Sequence, residues 1–315
     1  MKSLLKRVIV PSFILLVSAT SCADFDEINQ DPYMATESQV QVEYFINGSI
    51  INSQMDPHIA ERIFVLYWKT AGRQQFGGGI STGGHNDGWS TDYYGMSYMG
   101  GWLNSIYAAI SVAEKQIAEG NVKEYTNNLL QVPRIWRVYL LSELADTFGP
   151  IPLNGFQGEN PEFSDLKTIY YYLLDELKDA SSKLDVNIAG GTISKYDQAY
   201  GFNYANWQKY ANSMRLRLAM RLSEVDAAKA KTEFEAAASG PLLKLSDETF
   251  QVAERPGWDA LTGVMSREWN YFQISSTINN LFLGLGGIKS ADQIKADQLS
   301  YVKPQNYLGL KLDDH

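Results

Sequence analysis

The side chains that could do covalent chemistry are few in this sequence and poorly placed for it. His58, His85 and His315 are the only histidines, and their spacing fits no helical metal-binding pair. The 36 acidic side chains include no pair with an aromatic neighbour to raise one pKa, as glycoside hydrolysis requires. We therefore predict a protein without catalytic residues, cofactor or metal.

A glycine-rich segment, residues 72–101, carries the best candidates for binding chemistry. Tryptophan and tyrosine rings pack on the C–H faces of sugars, while asparagine and aspartate hydrogen bond to their hydroxyls. Glycine keeps most of such a stretch out of regular helix, so we expect an irregular ligand-binding loop. The candidate residues are Trp89, Tyr93, Tyr94, Asp87 and Asn86. Two alternatives remain open: rings buried between loop and helices, and a calcium site formed by the polar residues.

Cys22 is the only cysteine, and it follows a stretch typical of a secretory signal peptide. A basic start precedes an apolar run over residues 8–17 and the small residues 18–21. Ala19-Thr20-Ser21-Cys22 is similar to a lipobox, so we predict a lipoprotein signal peptide over residues 1–21 and acylation of Cys22, including palmitate. The alternative is an ordinary cleaved signal followed by a buried free cysteine. The apolar run is too short for a membrane span, which needs about 20 residues.

The charge balance makes nucleic acid an improbable partner. Residues 1–21 hold three basic and no acidic side chains, so the remainder carries 24 basic and 36 acidic ones, a net charge of −12. Nucleic acid binding depends on basic patches. We therefore expect no nucleic acid partner.

Apolar residues recur at helical spacing from residue 38 onward. Ile169, Leu173 and Leu177 mark one amphipathic helix, with Ser164 as its expected N-cap, and Trp207, Ala211 and similar positions mark others. Each one-sided helix must pack on a neighbour, which predicts a mainly α domain over residues 38–315. Residues 22–37 are then an acidic tether.

Three arginines on one predicted helix allow two interpretations. Arg215, Arg217 and Arg221 could form a phosphate or uronate site. The favoured interpretation is that their stems cover the core and their guanidinium groups pair with acids.

Several stretches together resemble the SusD/RagB family. Residues 206–223 are similar to its "W-x-K-F-A-N-S-L-K-L-R-L-A-M-R" helix, and residues 169–184 to its "V-Y-x-x-L-L-x-E-L-x-x-A" helix. Residues 146–153 resemble the turn "D-x-Y/F-G-D-V-P-Y", with Pro150 in place of the aspartate, and residues 24–32 resemble the opening "D-F-x-E-I-N-x-D-P". The resemblance extends over residues 22–245. Family members usually run further, so we expect the C-terminal part to be missing.

The resemblance implies both a fold and a function. The fold would be tetratricopeptide-like antiparallel helix pairs with long irregular ligand-binding loops and little β structure. The function would be that of a lipoprotein of the Bacteroidetes outer membrane, binding glycan or peptide for a SusC-like TonB-dependent transporter. Asp24, Asp26 and Glu27 are similar to the signal that sends such lipoproteins to the cell exterior. A surface glycan-degrading hydrolase and a structural envelope lipoprotein remain the alternatives.

Overall fold

The computed structural model describes residues 40–54, 59, 63, 68–76, 87–155, 160–244, 246–256 and 273–277. The predictions for the signal peptide, Cys22, the acidic tether and Asn86 lie outside these residues.

Eight α-helices make up most of the described chain. They are α1 Val42–Asn52, α2 Lys69–Ala71, α3 Asp87–Met99, α4 Leu103–Ala118, α5 Thr126–Phe148, α6 Leu166–Lys183, α7 Tyr204–Arg221 and α8 Ala227–Ala238. Short 3-10 helices cover Gly191–Tyr196 and Ser246–Glu248. Strands β1 Gln75–Phe76 and β2 Gln273–Ile274 pair antiparallel. The prediction of a mainly α fold with little β structure is confirmed.

Helices α4 to α8 pack in chain order, each against the next. Near the start of α5, Asn128 Nδ2 donates to Asp185 O just beyond the end of α6, at 2.8 Å. At the other end of α5, Asp146 Oδ1 accepts from the Tyr170 hydroxyl near the start of α6, at 2.5 Å. These two helices are therefore antiparallel, and the predicted antiparallel helix pairs are confirmed.

The apolar positions read from the sequence form the core. Ile169, Leu173, Leu177, Trp207 and Ala211 are all buried. Such one-sided burial, at roughly 1.5–3 kcal/mol for each large side chain, is what holds an amphipathic helix to its neighbours.

The predicted N-cap of α6 needs correction. The N-cap of α6 is Asp165, whose Oδ1 accepts from Thr168 N at 2.8 Å. Ser164 instead donates its backbone N–H to Ile151 O in an isolated bridge, which moves the helix start by one residue. Pro133 lies about two turns inside α5, which begins at Thr126.

A buried aspartate organises the turn that leads into α7. Asp197 Oδ1 accepts from the backbone N–H groups of Ala199 and Tyr200 at 3.0 and 3.2 Å. Its Oδ2 accepts from Phe202 N at 2.8 Å and from Trp207 Nε1 at 2.7 Å. Phe202 has a φ of 54°, a left-handed conformation that these bonds hold in place. One carboxylate thus fixes both the turn and the first turns of the helix.

The three arginines of α7 have acidic partners on two neighbouring helices. Arg215 pairs with Glu233 of α8, Arg217 with Glu143 of α5, and Arg221 with Asp146 near the end of α5. The favoured interpretation, guanidinium groups paired with acids, is confirmed. Arg221, Asp146 and Tyr170 come from three of the stretches that resemble the SusD/RagB family, and their contacts join α5, α6 and α7.

Candidate ligand-binding site

Helix α3 occupies much of the segment predicted to be an irregular loop. Residues Asp87–Met99 are helical, so the prediction of irregular structure is wrong for this half of residues 72–101. The glycines that break the helix come after it. Gly101 has a φ of +94°, and a Cβ on Gly100 would lie 2.7 Å from Met96 O. The chain therefore turns at these two glycines and enters α4.

Tyr93 lies in the core. Only 2% of the residue is exposed, and its ring meets those of Trp102 and Phe148 at centroid distances of 5.7 and 5.8 Å. Burial raises the pKa of its hydroxyl well above the ordinary value. Because both its ring and its hydroxyl are covered, Tyr93 presents no surface on which a sugar could stack, contrary to the sequence-based expectation.

Trp89 and Tyr94 are half-buried. The Tyr94 ring meets Phe148 edge-on at 5.2 Å and lies 4.9 Å from Tyr98, which anchors it to the core. The Tyr98 hydroxyl donates in turn to Pro152 O at 3.2 Å. Of the three predicted rings, Trp89 and Tyr94 are therefore the two that keep part of their surface exposed.

The predicted polar residues lie at the edge of what is described. Asp87 is the first residue of α3. Among the described residues, no group of three or more histidine, cysteine, aspartate or glutamate side chains comes together that could hold a metal ion.

One face of α3 carries a stripe of four residues that the sequence analysis missed, with Met96 packed against the core and Met99 exposed. Trp89, Asp92, Met96 and Met99 follow one another at three- and four-residue spacing, which places them on one helix face. Asp92 is exposed, and Met99 is 72% exposed. We call these four residues the α3 stripe. Their spacing would have revealed the stripe had the segment been taken as a helix.

The α3 stripe combines the side chains that sugar binding uses. An indole ring offers an apolar face, and a carboxylate accepts hydrogen bonds from hydroxyls. Methionine adapts its shape to irregular apolar surfaces. Trp68 lies just before α2, and its ring meets Tyr93 edge-on at 6.3 Å. Trp68 thereby places α2 and β1, which carries the exposed Phe76, near α3.

A second aromatic cluster lies between α5, α7 and the segment after α8. Trp136 stacks on Tyr139 at 4.8 Å and on Phe250 at 5.0 Å, beside a cavity of about 330 Å³. Burial raises the pKa of Tyr139 to about 12. Burial also raises the pKa of the Glu143 carboxyl, which the positive charge of Arg217 partly offsets. Since its rings mainly cover one another, the cluster serves packing more than ligand binding.

The fold places the chain among all-α proteins whose successive helices pack against one another. The family model of SusD-like proteins, described as SusD and RagB outer membrane lipoproteins, matches residues 27–312. The chain therefore belongs to the SusD/RagB family.

Solved structures of SusD homologues share the fold. One from Parabacteroides distasonis superposes with a TM-score of 0.64 at 24% identity, covering 79% of this chain and 50% of that one. A Bacteroidetes SusD-like protein, AC2a, gives 0.57 at 27% identity over 68% and 39%. A chitin-binding SusD homologue from Flavobacterium johnsoniae gives 0.54 at 22% identity over 76% and 50%. No curated protein matches the sequence.

The chain thus spans half or less of the length of these three relatives. Within the described residues, no helix is both long and apolar enough to cross a membrane.

Proposed function

We propose that this protein is a surface lipoprotein that binds a glycan or another oligomeric nutrient and delivers it to a SusC-like TonB-dependent transporter. Membership of the SusD/RagB family, with a matched model over residues 27–312, is the observation that carries the proposal. The protein acts by binding and release, without catalysis.

The ligand is bound at the α3 stripe. A sugar ring packs on Trp89, and its hydroxyls donate to Asp92. Met96 and Met99 cover the rest of the apolar face. Two of the structural relatives are described as chitin-binding, which makes β-linked N-acetylglucosamine oligomers the first probes to use.

The anchor is the acylated Cys22, and residues 22–37 are the tether between lipid and helical domain. Stable attachment needs more than one acyl chain, since a single one gives only marginal membrane binding. The acidic residues Asp24, Asp26 and Glu27 direct the protein to the outside of the outer membrane. The helical domain then lies where nutrient arrives, beside its transporter.

Affinity isolation from outer membranes of the native host tests the anchor and the partner together. A tagged protein should co-isolate with a TonB-dependent barrel, and its N-terminal peptide should carry lipid by mass spectrometry. Cys22→Ser should move the protein to the soluble fraction. A wild-type protein that is unlipidated and isolates without a barrel would refute this part of the proposal.

A further inference from the structure

A polar cleft of about 600 Å³ opens between α4, α5 and α6 and contains no residue of the α3 stripe. Its volume lies in the usual range of small-molecule sites, about 300–1,000 Å³. Its lining includes Tyr107, Ser111, Glu114, Arg137, Asp179 and Lys183. Charged groups of both signs line the cleft. The hydrogen-bond donors and acceptors that are not already bonded within the protein therefore decide which ligand can bind.

Two arginines of α5 differ in how fully they are bonded. Arg134 donates through Nε and Nη2 to Glu176 at 3.1 and 2.7 Å, and through Nη1 to Gln131 at 2.9 Å. Its Nη1 also lies 2.7 Å from Asp179 Oδ2. Arg137 makes a single hydrogen bond, from Nη2 to Glu176 Oε2 at 2.7 Å. Arg137 is therefore the guanidinium with bonding capacity left over.

Arg137 is also held in place by two tyrosine rings. Its guanidinium carbon lies 5.6 Å from the centroid of Tyr107 and 5.7 Å from that of Tyr172. Its side chain is only 12% exposed, and its Nε is buried without a hydrogen-bond partner. A buried donor without an acceptor costs about 1–3 kcal/mol, so such a group in a native protein needs an explanation.

The acids on the floor of the cleft are already bonded. Glu176 accepts from both arginines, and Asp179 accepts from Arg134 and Lys183. Glu114, exposed on α4, has no ion pair or hydrogen bond within the described part of the chain. The groups that can still pair with a ligand are therefore the cationic side chains of Arg137 and Lys183 and the anionic side chain of Glu114.

We propose that this cleft binds a uronic acid residue. Its carboxylate accepts hydrogen bonds from Arg137 and Lys183, and its ring hydroxyls donate to Glu114. A neutral sugar would leave the guanidinium without its acceptor, whereas a simple carboxylate would leave Glu114 unused. The site is separate from the nutrient site and does not depend on it.

Titration of the purified chain by NMR or calorimetry tests the proposal with four probes: glucuronate, galacturonate, glucose and galactose. At least one uronate should bind saturably, with a dissociation constant on the order of 1 mM for a ligand of this size. The neutral sugars should bind at least about tenfold more weakly. Equal binding of a uronate and its neutral parent, or no binding of either uronate, would overturn the proposal.

Three variants locate the site. Arg137→Gln removes the open donors while Arg134 still holds Glu176, and Ser111→Trp fills the cleft while both arginines are kept. Both should weaken uronate binding by about tenfold or more. Ala228→Trp, at an exposed position of α8 away from the cleft, is the matched control and should bind as the wild type does. Wild-type affinity in Ser111→Trp would contradict the cleft as the site.

Trp89→Ala separates this proposal from the nutrient site. Uronate binding should be unchanged in this variant. Loss of uronate binding there would mean that uronate binds at the α3 stripe, which would refute the cleft proposal and leave the nutrient-binding function standing.

Discussion

Arg215 and Arg217 lie two positions apart on α7, and the same substitution should destabilise the protein far more at Arg215 than at Arg217. The side chains of Arg215 and its partner Glu233 are only 7% and 5% exposed, and Arg215 Nε donates to Glu233 Oε2 at 2.7 Å. Arg217 is half exposed, and its Nη2 lies 3.5 Å from Glu143 Oε1. The first pair is buried and tightly bonded, whereas the second is long and solvated.

Arg215→Met leaves a buried carboxylate without its main partner. Such a change typically costs 3–5 kcal/mol. Lys229 Nζ still holds the other oxygen of Glu233 at 2.9 Å, so we expect the lower end, a loss of about 3 kcal/mol in the free energy of unfolding. Arg217→Met, the matched control, should cost about 1 kcal/mol or less because exposed pairs contribute little.

The double variant Arg215→Met, Glu233→Met completes the test. Replacing a whole buried pair by apolar side chains of similar size is often neutral or stabilising. We therefore expect it to recover most of the stability lost in the single variant. Urea unfolding followed by far-ultraviolet circular dichroism gives the free energies, provided that the slope with urea stays constant. Equal losses in Arg215→Met and Arg217→Met would refute the reasoning.

The other predictions concern a turn, an aromatic core and an acid. Asp197→Ala should cost about 2–4 kcal/mol in urea unfolding, because four donors lose one acceptor and the buried Trp207 Nε1 is left unpaired; a loss below 1 kcal/mol would contradict this. Tyr93→Ala should lower stability by about 3–5 kcal/mol and Trp89→Ala by much less, and the reverse order in thermal unfolding would contradict our placement of the two rings. Burial would raise the pKa of Glu176, but hydrogen bonds and charge from the two arginines outweigh it and lower the pKa. The ionised Glu176 therefore adds stability above about pH 4.3, the pKa of glutamate in the unfolded chain. This stability is lost as the pH falls through the lower pKa of Glu176 in the folded protein. Glu176→Gln should be less stable than wild type at pH 7 and lose less on acidification; parallel pH curves of the two would refute this.

The helices α6 and α7 could be predicted from sequence because their apolar residues recur at helical spacing and all face one core. Helix α3 could not, since Gly88 and Gly95 lower helix propensity by about 1 kcal/mol each. Burial of Tyr93 and Tyr98 offsets that cost through tertiary contacts, which local pattern does not contain.

The two candidate sites also differ in how far the sequence could predict them. Trp89 was found because its residue type alone suggests sugar stacking, but Tyr93 has the same chemistry and lies in the core. The cleft at Arg137 depends on side chains of three helices meeting, so no spacing along the chain could have indicated it. The N-cap of α6 was predicted one residue too early, at Ser164 instead of Asp165, because two residues that favour this position are adjacent.

Equilibrium binding of oligosaccharides to the purified chain tests the central claim most directly. We expect saturable binding of at least one oligosaccharide in a panel that includes chitin oligomers. Trp89→Ala should weaken it about tenfold or more, as loss of a stacking ring does. A correctly folded wild-type protein that binds no oligosaccharide or peptide in the panel would contradict the account.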